Sequence, residues 1–178
     1  MIQTIPEWFR NEPVFANVAE GIHSGGITRQ LENAVTARYL LAKDGTAEGE
    51  VDVCGASDAP AGVMTDTGSA GDLINLSLIG NTATTVLMVA SAPITAGADV
   101  YTAAGGKVQT QPASVGTYYC VGRALTAAAA DGNLLEVEPV TPRKTVLIGA
   151  FTGVASADIA ALGTALANGP DRLVVLPA

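Results

Sequence analysis

The sequence has few aromatic residues, few basic residues and a single histidine. Aromatic residues make up 4% of the 178 residues, so the 48% that are hydrophobic consist mainly of Ala, Val, Leu and Ile. Lys and Arg number 9 against 17 Asp and Glu, which gives a formal charge of -8. A protein that binds nucleic acid needs a basic stripe, whereas these basic residues are scattered from Arg10 to Arg172. We therefore expect no nucleic-acid partner.

Long apolar runs are also missing from the sequence. No run reaches the roughly 18 residues of a membrane-spanning helix, and the first residues lack the basic start and apolar centre of a signal peptide. We therefore expect that the protein is made in the cytosol and does not associate with membranes. Cys54 and Cys120 have no Cys or His nearby in sequence, which predicts buried free thiols rather than a zinc site.

Residue patterns for catalysis or cofactor binding are scarce. The only histidine, His23, lies in a glycine-rich GIHSGG segment without a nucleophile elbow, so we favour a loop or contact histidine over a catalytic base. Glu48, Glu50 and Asp52 alternate along one strand face, where a solvated surface is favoured over a calcium site because no calcium-loop pattern accompanies them. We predict no catalytic, cofactor-binding or metal-binding residues.

The sequence does contain many short apolar or alternating runs, each closed by turn residues among its 20 glycines and 9 prolines. This pattern is typical of a mainly β protein. Strands are predicted at 37–43, 50–54, 62–64, 72–80, 84–91, 99–102, 107–110, 117–126, 134–140, 145–151 and 173–177. Ser156 and Asp158 predict a helix start, and Asn168 with the following Gly-Pro ends the helix near Ala167.

The chain divides by composition into three parts: residues 1–35, 36–141 and 142–178. The first part holds the only Trp, Trp8, together with Phe9 and Phe15, and its prolines exclude a long helix. It predicts an extended arm whose aromatic residues are buried against a partner or against the body. A strand and turn folded onto the body is the equal alternative. The second part is the β-rich domain, and the third is a short strand–helix–strand appendix.

Five segments between residues 28 and 140 occur in an order that resembles a family of bacteriophage capsid cement or decoration proteins. They are RYLLAKDG, DAPAGVMTDTGSAGD, LINLSLIG, PITAGADVYTAAGGKVQ and VGRALTAAAADGNLLEVEP. Each segment alone is only a strand and a turn, whereas the order of all five is specific. The appendix after Thr141 is not part of this resemblance.

The resemblance implies a small β-barrel or β-tulip-like domain on the outer surface of the virion, made in the host cytoplasm. Such proteins clamp neighbouring major capsid proteins and are commonly homotrimers on three-fold or quasi-three-fold sites. The resemblance brings no catalytic residues. The arm is similar in position to the capsid-binding arm of lambda-type decoration proteins, which makes Ile5, Trp8, Phe9 and Phe15 the candidate capsid-binding residues.

Two other functions remain open at this point. A head-fibre or adhesion protein that projects from the capsid and binds cell-surface glycans would share the β-rich composition. A small hydrolase or carbohydrate-active β protein would require a pair of carboxylates in a cleft, for which Glu48 and Glu50 are the candidates.

Overall fold

The computed structural model describes residues 25–80 and 84–177, which form eleven strands, one α-helix and one short 3-10 turn. The strands are β1 Gly26–Leu31, β2 Leu41–Asp44, β3 Glu50–Val53, β4 Gly62–Met64, β5 Leu73–Leu78, β6 Val86–Val89, β7 Asp99–Thr102, β8 Val108–Gln109, β9 Gly116–Ala124, β10 Leu134–Ile148 and β11 Arg172–Val175. Helix α1 spans Ala155–Ala167, and the 3-10 turn is Ala104–Gly106.

The first five strands close into a barrel in the order β1-β3-β2-β4-β5. Strand β1 closes it, because it pairs in parallel with β3 and antiparallel with β5. All the other neighbours in the barrel are antiparallel. Side chains that alternate along the strands, including Ala42, Val51, Met64, Ile74 and Leu76, fill the interior.

The remaining strands form a second sheet in the order β11-β10-β9-β7-β8, with β6 paired to β10 as well. Strand β10 is 15 residues long and organises this sheet. One of its sides pairs with β9 along most of its length. Its other side pairs antiparallel with β6 in the first half and parallel with β11 in the second half.

The largest core cluster lies between the barrel and the second sheet. Leu41 and Val63 point out of the barrel from β2 and β4 and join Val100, Val121 and Val137 of the second sheet. The neighbouring residues of β2 and β4 point into the barrel, so that wall is buried on both faces. The barrel and the sheet therefore share a wall.

The second half of β10, α1 and β11 form a strand–helix–strand unit, which we call the C-terminal unit. Its own core is small and consists of Val146 and Ile148 from β10, Leu162 and Ala165 from α1, and Leu173 from β11. Helix α1 is too short to cross a membrane, and no other described helix could do so. Gly169 has a φ of 58° and ends the helix in the way the sequence predicted.

The predicted fold class is confirmed, since the described chain is mainly β with a closed barrel and a helix near its C-terminal end. The predicted hairpin is confirmed as β7 and β8, and Gly105 and Gly106 in its turn have φ values of 69° and 70°. The alternation predicted for β5 is confirmed in its first four residues, because Ile74 and Leu76 are buried while Leu73 and Asn75 are exposed, whereas Ser77 and Leu78 are both half-buried.

Three predictions about individual strands are wrong. The strand predicted at 37–43 begins only at Leu41, because Tyr39 adopts a φ of 65° that interrupts extended structure. The run 84–91 was expected to be covered on both faces, whereas Leu87 is 38% exposed. The strands predicted at 134–140 and 145–151 are one strand, because Pro139 and Pro142 are accommodated beside a register shift in the pairing with β9.

The predicted arm, residues 1–35, falls mostly outside the described residues. Its last part includes β1 Gly26–Leu31, which is a strand of the barrel and contributes Leu31 to the barrel core. This short stretch therefore follows the alternative of a strand folded onto the body. The three-part division of the chain stays a prediction.

We predict that Gly62→Ala destabilises the barrel. A Cβ atom at Gly62 in β4 would lie 2.5 Å from the carbonyl oxygen of Ser77 and 2.7 Å from Cγ of Leu76 in β5. Such overpacking costs about 1–3 kcal/mol of unfolding free energy, which urea denaturation would measure. The matched control is Gly149→Ala, whose nearest new contact is Val115 at 3.9 Å, so its unfolding midpoint should stay within error of the wild type. Equal midpoints for the two variants would contradict the prediction.

Candidate functional site

The described residues offer little for catalysis. No group of three or more His, Cys, Asp or Glu residues within 25–80 and 84–177 is placed to hold a metal ion. Glu50, one of the three alternating acids, accepts a hydrogen bond from the backbone N–H of Ala47 at 3.4 Å and so helps to shape the turn between β2 and β3. His23 lies outside the described residues.

Cys54 and Cys120 are buried and unpaired, as the sequence predicted. Burial raises the pKa of the Cys54 thiol to about 12, which keeps it protonated and unreactive near neutral pH. Beside it, Lys43 Nζ lies 2.9 Å from Asp58 Oδ2. The hydrogen bond from Lys43, followed by one from the Gly55 N–H, lowers the pKa of Asp58. These groups fix the loop after β3 and form no reactive site.

The predicted capsid-binding residues Ile5, Trp8, Phe9 and Phe15 all lie outside the described residues. What the structure does define is the position of Gly25, the first described residue after them. The Leu78 N–H donates a 2.6 Å hydrogen bond to the carbonyl of Gly25, immediately before β1. Gly25 therefore lies at one end of the barrel, next to the end of β5.

One exposed apolar patch lies on the outer face of the second sheet. It consists of Leu87 in β6, Leu125 just after β9 and Leu134 in β10, which are 38%, 44% and 47% exposed. The strand register places all three around Glu136, whose carboxylate accepts a 2.6 Å hydrogen bond from the Thr85 hydroxyl. The sequence did not indicate this patch, because β6 was expected to be covered on both faces.

A larger apolar surface lies on the C-terminal unit. Phe151, Val154, Ile159 and Leu166 are 52%, 56%, 69% and 56% exposed. Phe151 and Ile159 line a shallow groove together with Ala155, Asp158 and Leu162. We call the residues Phe151, Ile159, Leu162 and Leu166 the α1 stripe. The residues at its start and end gave a sequence signal for the helix but none for its exposure.

The start of α1 is held by Asp158 rather than by Ser156. Asp158 Oδ1 accepts hydrogen bonds from the N–H and hydroxyl of Thr152 at 2.8 and 2.9 Å, and Oδ2 accepts one from the Gly153 N–H at 3.0 Å. The Thr152 N–H makes the largest contribution to a lowered pKa of Asp158. The prediction that Ser156 takes part in the cap is wrong, because Val154 occupies the cap position and makes no side-chain bond.

The C-terminal unit is fixed to the rest of the protein by polar contacts as well as by β10. Arg172 in β11 donates a 2.9 Å hydrogen bond to the hydroxyl of Tyr101, a fully buried residue in β7. Within the unit, the N–H of Lys144 donates to the Asp171 carboxylate at 2.7 Å, and the Asp171 N–H donates back to the Lys144 carbonyl at 2.9 Å. The bond from Arg172 to Tyr101 therefore joins the unit to the second sheet in addition to β10.

Comparison with protein families shows the family to which the chain belongs. Residues 32–139 match the phage cement protein family, which is more than half of the chain. The chain belongs to the phage cement protein family. It is therefore a phage structural protein that associates with the capsid in the virion.

A comparison with solved structures supports the fold. The crystal structure of the N base of head fibre gp8.5 in bacteriophage phi29 is similar with a TM-score of 0.52 at 19% identity, and the match covers 66% of this chain and 94% of that chain. At this identity the similarity concerns the fold alone. No curated protein matches the sequence. The family match ends at residue 139, within β10, so most of the C-terminal unit lies beyond it.

We predict that Asp158→Ala lowers the thermal midpoint near neutral pH but not in strong acid. The pKa of Asp158 is lowered from 3.8 in the folded protein, so the ionised carboxylate stabilises the fold. This stabilisation is complete above pH 3.8 and is lost as the pH falls through the folded pKa. Thermal unfolding at pH 6 and at about pH 2 should therefore show a difference from the wild type that disappears on acidification.

The matched control for this prediction is Ser156→Ala, which changes an exposed position in the same helical turn. It should leave the midpoint unchanged at both pH values. A difference between Asp158→Ala and the wild type that persists unchanged in acid would show that the carboxylate is not the stabilising group.

Proposed function

We propose that the protein cements the phage head by binding its outer surface and tying neighbouring major capsid proteins together. The observation that carries this proposal is the family match, which spans four of the five barrel strands and most of the second sheet. In this role the barrel and the second sheet, which together we call the β body, form a rigid support for the surfaces that contact the capsid. We propose that the β body has a β-tulip shape. It is made in the host cytoplasm and acts on the assembled head.

The proposed role needs no chemistry. A cement acts by contact alone. Each contact can be weak, because many copies bind a repeating surface and the total binding strength comes from all the contacts together. We propose a homotrimer at three-fold or quasi-three-fold sites, where one molecule can touch several capsid subunits. The described residues support a non-enzymatic role, since their ion pairs and perturbed carboxylates serve loops and a helix start.

We propose that the N-terminal segment is the capsid-binding element. An extended segment can add to an exposed strand edge of the shell, with main-chain hydrogen bonds for affinity and aromatic side chains in pockets for specificity. Ile5, Trp8, Phe9 and Phe15 would fill those pockets. The start of the segment at the barrel edge, where Leu78 binds Gly25, would let it leave the body without disturbing the core.

A second candidate function is that of a head-fibre or adhesion protein, which the similarity to a head-fibre base favours. In that case the β body would be the base on the capsid, and the C-terminal unit would point outward and bind cell-surface glycans. The apolar surface of that unit fits glycan binding less well, because glycan sites present polar hydrogen-bonding groups beside aromatic rings.

We predict that deleting residues 1–20 leaves a folded protein that no longer binds heads. The barrel survives because β1 begins at Gly26, whereas the proposed pocket-filling side chains are lost. Co-sedimentation with heads that lack the protein measures binding, and circular dichroism checks the fold. A full-length variant with Trp8, Phe9 and Phe15 replaced by Ala should also fail to sediment.

The matched control replaces Gln3, Asn11 and Asn17 by Ala in the same segment and should bind like the wild type. Full-strength binding by the truncated protein would refute the role of the arm.

We predict that adding the protein to heads that lack it raises the temperature at which they release DNA. A cement joins subunits, so it must stabilise the shell, whereas a fibre base need only be attached to it. Reconstruction of the same particles should show flat density at three-fold sites. Unchanged release together with density that projects like a rod would favour the fibre function instead.

A further inference from the structure

Two arginines, Arg143 in β10 and Arg172 in β11, lie together on the outer face of the second sheet. The strand register places Arg143 opposite Cys120 and Cys120 opposite Tyr101. Val100 points into the core shared with the barrel, so its neighbour Tyr101 points the other way. Arg143 Nη2 lies 3.8 Å from Cys120 Sγ, and Arg172 donates to the Tyr101 hydroxyl at 2.9 Å. Both guanidinium groups are therefore held beside Tyr101, and we call them the arginine pair.

The arginine pair has no carboxylate of its own. Both arginines are exposed, and the two ion pairs formed within residues 25–80 and 84–177 use lysines instead. Arg123, on the same face, differs because the register sets it between Asp99 and Glu138. A guanidinium offers five N–H donors, and the contact with Tyr101 or Cys120 occupies few of them. The pair can therefore take carboxylates from another molecule in a bidentate geometry.

The turn between β2 and β3 presents the opposite charge. Four acidic residues fall within residues 44–52. The turn is held in shape by Glu32, whose carboxylate accepts bonds from the hydroxyl and the N–H of Thr46 at 2.9 and 3.1 Å. Asp44 and Glu48 are exposed and enter neither of the ion pairs of the described chain. We call Asp44 and Glu48 the acidic turn.

The arginine pair and the acidic turn of one copy lie apart. The hairpin of β2 and β3 is attached to the second sheet at its open end, where the Gly106 N–H donates to the Cys54 carbonyl at 2.7 Å and the Thr102 hydroxyl bonds the Ala56 carbonyl. The turn lies roughly 10 Å further along the hairpin, at about 3.3 Å per residue. The arginine pair, by contrast, lies on the face of the second sheet that points away from the barrel. The two charged surfaces are therefore available to different neighbours.

We propose that the arginine pair of one copy binds the acidic turn of the next copy in the three-fold assembly. This inference rests on the proposed homotrimer and names the contact that would close it. A three-fold ring requires two different surfaces on each copy, because every copy meets one neighbour with the first surface and the other neighbour with the second. The arginine pair and the acidic turn meet this requirement.

The distribution of charge along the chain is the reason to choose a second copy as the partner. Residues 25–80 contain eight Asp or Glu and three Lys or Arg, whereas residues 140–178 contain two Asp or Glu and three Lys or Arg. Copies with a charge of -8 repel each other on average, so they associate best where a basic part of one meets an acidic part of the other. A closed ring brings one acidic turn to each arginine pair and leaves neither uncompensated.

The first test measures the mass of the full chain in solution, without heads, by analytical ultracentrifugation across a range of concentrations. We expect a trimer whose association weakens as NaCl rises from about 0.05 to about 0.5 M, because salt screens exposed charges. Arg143→Glu and Arg172→Glu, made separately, should each weaken association on the order of tenfold or more, since like charges would meet. The matched control is Arg38→Glu, which makes the same charge change at another exposed arginine and should associate like the wild type.

The second test exchanges the charges of the two surfaces. A chain with Asp44→Arg and Glu48→Arg should associate as weakly as one with Arg143→Glu and Arg172→Glu. The chain with all four substitutions carries the pair in reverse and should recover most of the wild-type association. Arg143→Gln and Arg172→Gln, checked by circular dichroism, cover the case of a glutamate variant that fails to fold, and they should weaken association less.

Several results would overturn this contact: a wild type that is monomeric at every concentration, a trimer that salt does not weaken, or a folded four-substitution chain that does not recover. An Arg143→Glu protein that keeps the trimer but no longer sediments with heads would assign the arginine pair to the capsid and would overturn it too. A monomeric wild type that still binds heads refutes the contact and leaves the cement function standing. A trimer that does not bind heads refutes the cement function and supports the contact.

Discussion

The hydrogen bonding of β10 is the constraint on which the rest of the structure depends. Buried backbone groups need hydrogen-bond partners, and β10 finds them in β9 on one side and, on the other side, in β6 at 134–137 and β11 at 145–148. Its first half closes the family domain, and its second half supports the C-terminal unit. A single strand therefore sets the orientation of two parts that the sequence separates at a Pro-containing stretch.

The shared wall of β2 and β4 adds the second constraint. Because Leu41 and Val63 face the second sheet while Ala42 and Met64 face the barrel interior, neither layer can move without exposing apolar surface of the other. Tyr39 packs against both clusters and holds a φ of 65°, a conformation that costs free energy for a bulky residue. The barrel and the second sheet are thus held together by one apolar wall that is buried on both faces.

Local patterns were enough to predict most strands, the hairpin of β7 and β8 and the helix end at Gly169, because alternation and turn chemistry are local properties. They failed where tertiary contacts decide. Pro139 and Pro142 indicated a break, whereas β10 continues through them and its pairing with β9 resumes at Arg143 after a register shift. The closure of the barrel by β1 was not predicted, because residues 1–35 were interpreted as an arm on the basis of their aromatic residues. The candidate arm rests on the sequence alone, while the leucine patch and the α1 stripe required the fold.

The exposure of Ile159 and Leu166 shows why such surfaces escape sequence analysis. A residue pattern reports which side chains avoid water, but it does not report which molecule covers them. In a protein that works in many copies, part of the apolar pattern can belong to contacts between molecules. The core of the C-terminal unit is small, since only Val146, Ile148, Ala165 and their two neighbours contribute to it. A unit that buries so little of its own apolar surface is the part of the described chain that a partner covering α1 would stabilise most.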